Sequence, residues 1–135
     1  SYYLQTKTIP LHIAWFAMAI GLLSVGVLNL NNMRDMENDA VVGKQTIASL
    51  LGFSYAKIYH TLLLFFACVF LCVGFKQTAD SLWHYCPIVV IIPLLIQLSK
   101  TIRIRSHVDF DGQLKPLALT TFALSLVILV TQLLM

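Results

Sequence analysis

Four apolar blocks, each without Asp, Glu, Lys or Arg inside its polar flanks, leave this chain few ways to fold. They run from Ile9 to about Leu30, Tyr55 to Phe75, Trp83 to about Leu98, and Pro116 to Met135, with Lys57 counted to the flank of the second. Each is near the ~20 residues that cross ~30 Å of hydrocarbon, the third being marginal. Of the 135 residues 59% are hydrophobic and 11% charged, against roughly 25% charged in a soluble domain. So few charges cannot cover a water-soluble fold around that much apolar surface. In hydrocarbon an open sheet would leave backbone groups unpaired, so the spans must be helices. The expected fold is all-α, a polytopic transmembrane helical bundle of four spans. Pro10 and Pro116 suit helix starts, where a missing N–H costs nothing. Pro87 and Pro93 should kink the third span.

With four spans the connections alternate sides. Segments 31–57 and 99–116 hold Arg34, Lys44, Lys57, Lys100, Arg103, Arg105 and Lys115; the opposite side holds Lys7 and Lys76. That asymmetry predicts cytoplasmic loops over 31–54 and 99–115, in a multi-pass protein of the inner (cytoplasmic) membrane. Tyr2, Tyr3, Trp83, His84 and Tyr85 would form an outer aromatic belt, with Tyr55 and Tyr59 at the inner boundary. His12, His60 and His84 fall at span ends and read as interfacial packing residues. No basic stripe interleaved with aromatics exists, which excludes nucleic acid as a partner. Cys68, Cys72 and Cys86 lie in apolar blocks with no metal-ligand company and read as small buried apolar residues. The first residue is Ser1 and no leader pattern precedes the first span, so the expectation is a piece of a longer protein.

The stretch from Asn29 to Gly52 carries the chemistry. If the first helix continues a turn or two beyond the membrane, Asp35 and Asp39 lie ~40° apart on one face, one turn apart along the axis. Two carboxylates at that spacing repel one another, and a divalent cation would relieve them. Carboxylate and amide oxygens, the latter from Asn31 and Asn32, point to a hard ion, Mg²⁺ before Ca²⁺. Arg34 and Lys44 are suited to phosphate oxygens. The stretch thus reads as a metal-bridged diphosphate site at the membrane surface, against the alternative of an ordinary solvated turn. Gly43-Lys44-Gln45-Thr46 is not a nucleotide-binding loop. That motif needs Ser or Thr directly after Gly-Lys and a Gly where Asn38 stands.

Asn31-Asn32-x-Arg34-Asp35-x-x-x-Asp39-x-x-x-Gly43-Lys44-x-Thr46, ending near Leu51-Gly52, resembles the second Asp-rich motif of the UbiA superfamily of intramembrane prenyltransferases. Within it, the pattern is most similar to the branch acting on 1,4-dihydroxy-2-naphthoate in menaquinone biosynthesis. The segment Asp111-Gly112-x-Leu114-x-Pro116 is similar too, though less diagnostic, and the resemblance covers essentially the whole chain. It implies a nine-helix fold in which these spans are the sixth to ninth. Two Asp-rich motifs would hold Mg²⁺ and polyprenyl diphosphate, with Asp35 and Asp39 as metal-binding catalytic residues and Asn31, Asn32, Arg34 and Lys44 on the diphosphate. The implied reaction is prenyl transfer to dihydroxynaphthoate with loss of its carboxylate. The first Asp-rich motif is not in this sequence. The resemblance therefore implies half a site, completed by N-terminal helices of the same protein, and no activity in the segment alone. Other acceptors of the superfamily (4-hydroxybenzoate, a chlorophyllide, haem) are the alternative within the class. A transporter or scaffold subunit is the alternative outside it, but a transporter should carry ionisable groups near mid-bilayer, and these blocks hold none.

Overall fold

The computed structural model describes residues 3–4, 7–78, 88–105 and 107–133. Helix α1 spans Leu11–Arg34, the short α2 Met36–Val41, α3 Ile47–Thr78 and α4 Ile88–Arg103. A 3₁₀ turn at His107–Phe110 then leads into α5, Asp111–Leu133. No strand occurs among the described residues. Three helices, Leu11–Arg34, Ile47–Gln77 and Asp111–Gln132, are long and apolar enough to cross a membrane. The chain is an all-α polytopic helical bundle.

Small residues on α1 and α3 set the main seam. Ala19 and Gly26 on α1 and Ala56, Ala67 and Gly74 on α3 are all buried, which brings the two backbones close, the usual device where lipid gives no hydrophobic drive for helix pairing. A Cβ on Gly74 would lie 2.7 Å from the Phe16 ring, and one on Gly26 3.2 Å from a Leu64 methyl. Phe16 packs tilted against Phe75 at 4.9 Å between ring centroids, while at the other end Asn29 Nδ2 donates to the Ala56 carbonyl at 3.2 Å. The two helices are therefore antiparallel, and the end of α1 lies beside the beginning of α3. Leu117 and Leu124 of α5 complete the core with Leu23, Leu64 and Leu71.

Only 22%, 39% and 17% of the most apolar windows of the three long helices is buried. Leu28, Leu50, Leu119, Phe122 and Leu129 stand exposed. In water such a surface would drive aggregation; in a bilayer it is the face offered to lipid or to further helices.

Several boundaries differ from the sequence expectation. Helix α3 starts at Ile47, inside the expected loop, and Gly52 breaks it with φ 72° and ψ 164°, a conformation only glycine adopts without strain. Helix α5 starts at Asp111, so Pro116 lies in its second turn rather than at its start. The proline ring disturbs the preceding carbonyls, and Gln97 Nε2 of α4 donates to the Gln113 carbonyl at 2.7 Å. Helix α4 continues to Arg103 with Pro93 inside it. Trp83, His84, Tyr85, Cys86, Pro87 and Tyr2 lie outside the described residues. His60 is fully buried, packed where Gly26 leaves room for its ring. Cys72 is exposed and Cys68 half-buried, since both lie toward the outer side of α3 rather than in its seam.

Candidate functional site

The Asp-rich stretch forms a compact turn at the end of the bundle where α1 finishes and α3 and α5 begin. Helix α1 stops at Arg34, with Asp35 at φ −89° and ψ 6°, and a fresh turn of helix starts at Met36. The hydrogen bonds bridge this break: Asp35 N–H donates to the Asn31 carbonyl at 3.0 Å, and Asp39 N–H to the Asp35 carbonyl at 2.8 Å. The expected continuous helix is thus interrupted, yet Asp35 and Asp39 keep their one-turn separation.

Each carboxylate has its own cation. The Arg34 guanidinium grips Asp35 with two bonds, Nε to Oδ1 at 2.7 Å and Nη2 to Oδ2 at 2.8 Å. The same Nη2 reaches Asn31 Oδ1 at 2.9 Å, and Asn31 Nδ2 donates to Asp35 Oδ2 at 3.3 Å. The two Arg34 bonds hold the Asp35 carboxyl below its ordinary value of 3.8, against the opposing effect of desolvation, with help from the more distant Lys44. Asp39 is buried, with 7% of its surface exposed. Lys44 Nζ donates to both its oxygens, at 3.1 and 3.0 Å. Asn32 is half-buried on the same turn.

The glycine and threonine of the motif explain how Lys44 returns to Asp39. Gly43 adopts φ 70° and ends α2 in a Schellman turn, its N–H bonded to the Ala40 carbonyl at 3.2 Å and the Lys44 N–H to the Asp39 carbonyl at 2.9 Å. That reversal places the lysine back over the carboxylate it follows. Thr46 then caps α3 reciprocally: Ser49 N–H donates to Thr46 Oγ1 at 3.1 Å, and Thr46 N–H to Ser49 Oγ at 2.8 Å. This is a capping box with serine in the usual Glu position.

Five of the six expected site residues form two bonded clusters on this segment, Asn31, Arg34 and Asp35 in one and Asp39 and Lys44 in the other; no bond joins Asn32 to either. Asp111 was not among the expected site residues. Its carboxylate lies 3.5 Å from Arg34 Nη1, so the last helix begins against the motif. The only hint in the sequence was the Asp111-Gly112 pair before Pro116, with nothing local to say what it touches.

The donor set is chemically specific. Two carboxylates and two amides offer hard oxygens, and magnesium is commonly held by one or two carboxylates with the remaining positions taken by water and substrate phosphate. Among the described residues no three His, Cys, Asp or Glu side chains cluster as a self-sufficient metal cage. These residues fit an ion shared with a phosphate-bearing ligand. With Arg34 and Lys44 already at the carboxylates, the same turn offers ligands for the cation and donors for the anion.

Residues 1–111 match the family model of the UbiA prenyltransferase family. The chain belongs to this family of membrane transferases. It is 43% identical over 95 residues to the 1,4-dihydroxy-2-naphthoate octaprenyltransferase of Haemophilus influenzae, covering 70% of this chain and 30% of that protein. With the Escherichia coli protein of the same name it shares 36% over 100 residues, covering 74% and 32% of the two. A UbiA prenyltransferase domain-containing protein 1 homolog of Drosophila melanogaster is 32% identical over 97 residues, covering 68% and 26%. The chain spans about a third of the length of the first two relatives. No solved structure matches it.

Proposed function

We propose that this chain forms one half of the active site of a transferase that moves a polyprenyl group from polyprenyl diphosphate to 1,4-dihydroxy-2-naphthoate. The observation that carries the proposal is the pairing of Asp35 with Arg34 and of Asp39 with Lys44 on one turn at the end of the bundle. Such a turn suits a diphosphate and its cation, and the names of the bacterial relatives supply the substrate class.

Asp35 and Asp39 would hold Mg²⁺, assisted by the amide oxygens of Asn31 and Asn32. When bound, the ion would neutralise charge on the diphosphate as it leaves. Arg34 and Lys44 would release their carboxylates to that ion and turn their N–H donors to phosphate oxygens. The C–O bond between prenyl group and diphosphate would break, and the carboxylate-bearing ring carbon of the acceptor would form the new C–C bond. The ring then loses its carboxylate as carbon dioxide. Apolar helix faces below the turn would keep water from the allylic cation meanwhile. The remaining ligands would come from the first Asp-rich motif, which the N-terminal helices of the full-length protein would carry. The turn would lie on the cytoplasmic face of the inner membrane, the side favoured by the basic residues.

The test is an acceptor comparison. Full-length protein in lipid, given Mg²⁺ and polyprenyl diphosphate, is expected to prenylate dihydroxynaphthoate and leave 4-hydroxybenzoate unmodified. The opposite preference would move the chain to another branch of the family.

A further inference from the structure

Beyond its break at Gly52, α3 continues for 25 residues to Gln77, about 38 Å at 1.5 Å per residue, still over the ~30 Å hydrocarbon core. Its charges decide which part is immersed. Lys57 and Lys76 bracket residues 58–75, with no charged residue between. Lys57 therefore sits at the hydrocarbon boundary, at the motif end of the bundle, with Phe53 on its headgroup side.

Beside Lys57 a cleft of about 540 Å³ opens between α3 and the end of α4. Its apolar half is Ile58 and Leu62, running into the hydrocarbon, with Ile102 opposite. Its polar mouth holds Lys57 and Arg105 and, among the described residues, no acidic one. Lys57 Nζ donates to the Ile102 and Ile104 carbonyls and lies 5.5 Å from the Phe53 ring centroid. An ammonium has three donors, so one remains for a ligand. Arg105 is exposed, and Lys100 and Arg103, also exposed, stand on the preceding turn of α4. Three basic residues within six, at the end of an apolar helix, form a positive rim at headgroup depth.

We propose that this cleft binds an anionic phospholipid, its phosphate between Lys57 and Arg105 and one acyl chain along Ile58, Leu62 and Ile102. Basic pockets between helices at the membrane surface suit such headgroups. The volume is within the 300–1,000 Å³ range of small-molecule sites. A free phosphate would leave the apolar half unused. A further apolar helix packed there would bury two cations without an acidic partner, which is costly. The cleft shares no residue with the Asp35–Asp39 turn, so this site stands apart from the transferase reading.

The experiment is native mass spectrometry of the full-length protein in detergent with equimolar phosphatidylglycerol and phosphatidylcholine of identical acyl chains. Retention of phosphatidylglycerol is expected to exceed that of phosphatidylcholine. Arg105→Ala should reduce it about fivefold, the size expected for one basic side chain near an anionic surface. Lys57→Gln combined with Arg105→Ala should reduce it further, and Lys7→Ala, at the opposite end of the bundle, should leave it unchanged. Lys57 also holds the end of α4, so Arg105→Ala alone, at an exposed position, decides the matter if the double variant misfolds. Equal retention of the two lipids, unchanged retention in Arg105→Ala, or an equal loss in Lys7→Ala would overturn the site.

Discussion

Lys44 is bonded to Asp39 twice over, by its backbone N–H to the Asp39 carbonyl at 2.9 Å and by its ammonium to both carboxylate oxygens at 3.1 and 3.0 Å. The first bond depends on Gly43 in the left-handed region; the second depends on the first. A glycine and a lysine that look like a phosphate-binding signature thus have a local structural task before any ligand arrives.

That relationship predicts distinct effects for the two residues. Gly43→Ala forces a Cβ into the left-handed region, at about 1 kcal/mol, and should speed amide exchange at Lys44 about fivefold. Lys44→Ala leaves the turn in place but removes a point charge. In the full-length protein it should raise KM for the diphosphate more than it lowers kcat, because Arg34 remains. Amide exchange and steady-state kinetics on the two variants separate these effects.

The Arg34–Asp35 pair gives a pH dependence of known sign. Asp35 has a folded value below its ordinary 3.8. Its contribution to stability is therefore complete above that ordinary value and is lost as pH falls through the lower folded one. Thermal denaturation of wild type and Asp35→Asn should differ from neutral pH down to about 4 and converge at more acid pH. A gap that instead closes between pH 7 and 5 would assign the effect to another group.

Close approach of α1 and α3 makes Gly74 sensitive. A Cβ there would meet two atoms of the Phe16 ring at 2.7 and 2.9 Å, and Phe16 is itself wedged against Phe75. Gly74→Ala should cost about 1–3 kcal/mol as overpacking, whereas Gly21→Ala, with open space around it, should be neutral or slightly stabilising. Detergent-resistant thermal unfolding of both variants is the measurement.

Arg34 and Asp111 meet across 77 positions of sequence, so the motif and the start of α5 share one end of the bundle. Cysteines introduced by Val42→Cys and Lys115→Cys should label from the same side, and in intact cells only after permeabilisation. Labelling of either from outside would reverse the proposed orientation.

The helices and the turn were legible in the sequence for different reasons. Uncharged blocks mark helices because a charge in hydrocarbon is costly, and the uncharged stretch between Lys57 and Lys76 lies wholly within α3. The site residues gather because they lie within fourteen positions, where helical spacing alone brings them close. What escaped depends on partners distant in sequence. The break at Asp35 occurs where Arg34 reaches across to Asp35, Asn31 and Asp111 at once. Asp111 could not be assigned without knowing where α5 begins. The burial of His60 and the exposure of Cys72 were illegible because a span apolar all round does not tell which face meets another helix.

Asp35 and Asp39 are proposed to serve the chemistry rather than to form a merely solvated turn. The direct measurement is turnover by the full-length protein with Asp35→Asn and Asp39→Asn, at saturating substrates and across a Mg²⁺ titration. Each change keeps the side-chain shape while removing an anionic ligand, so turnover should fall about a hundredfold or more and the Mg²⁺ requirement should rise. Near-wild-type turnover and unchanged Mg²⁺ dependence in both variants would contradict the account and leave the turn an ordinary connection between two helices.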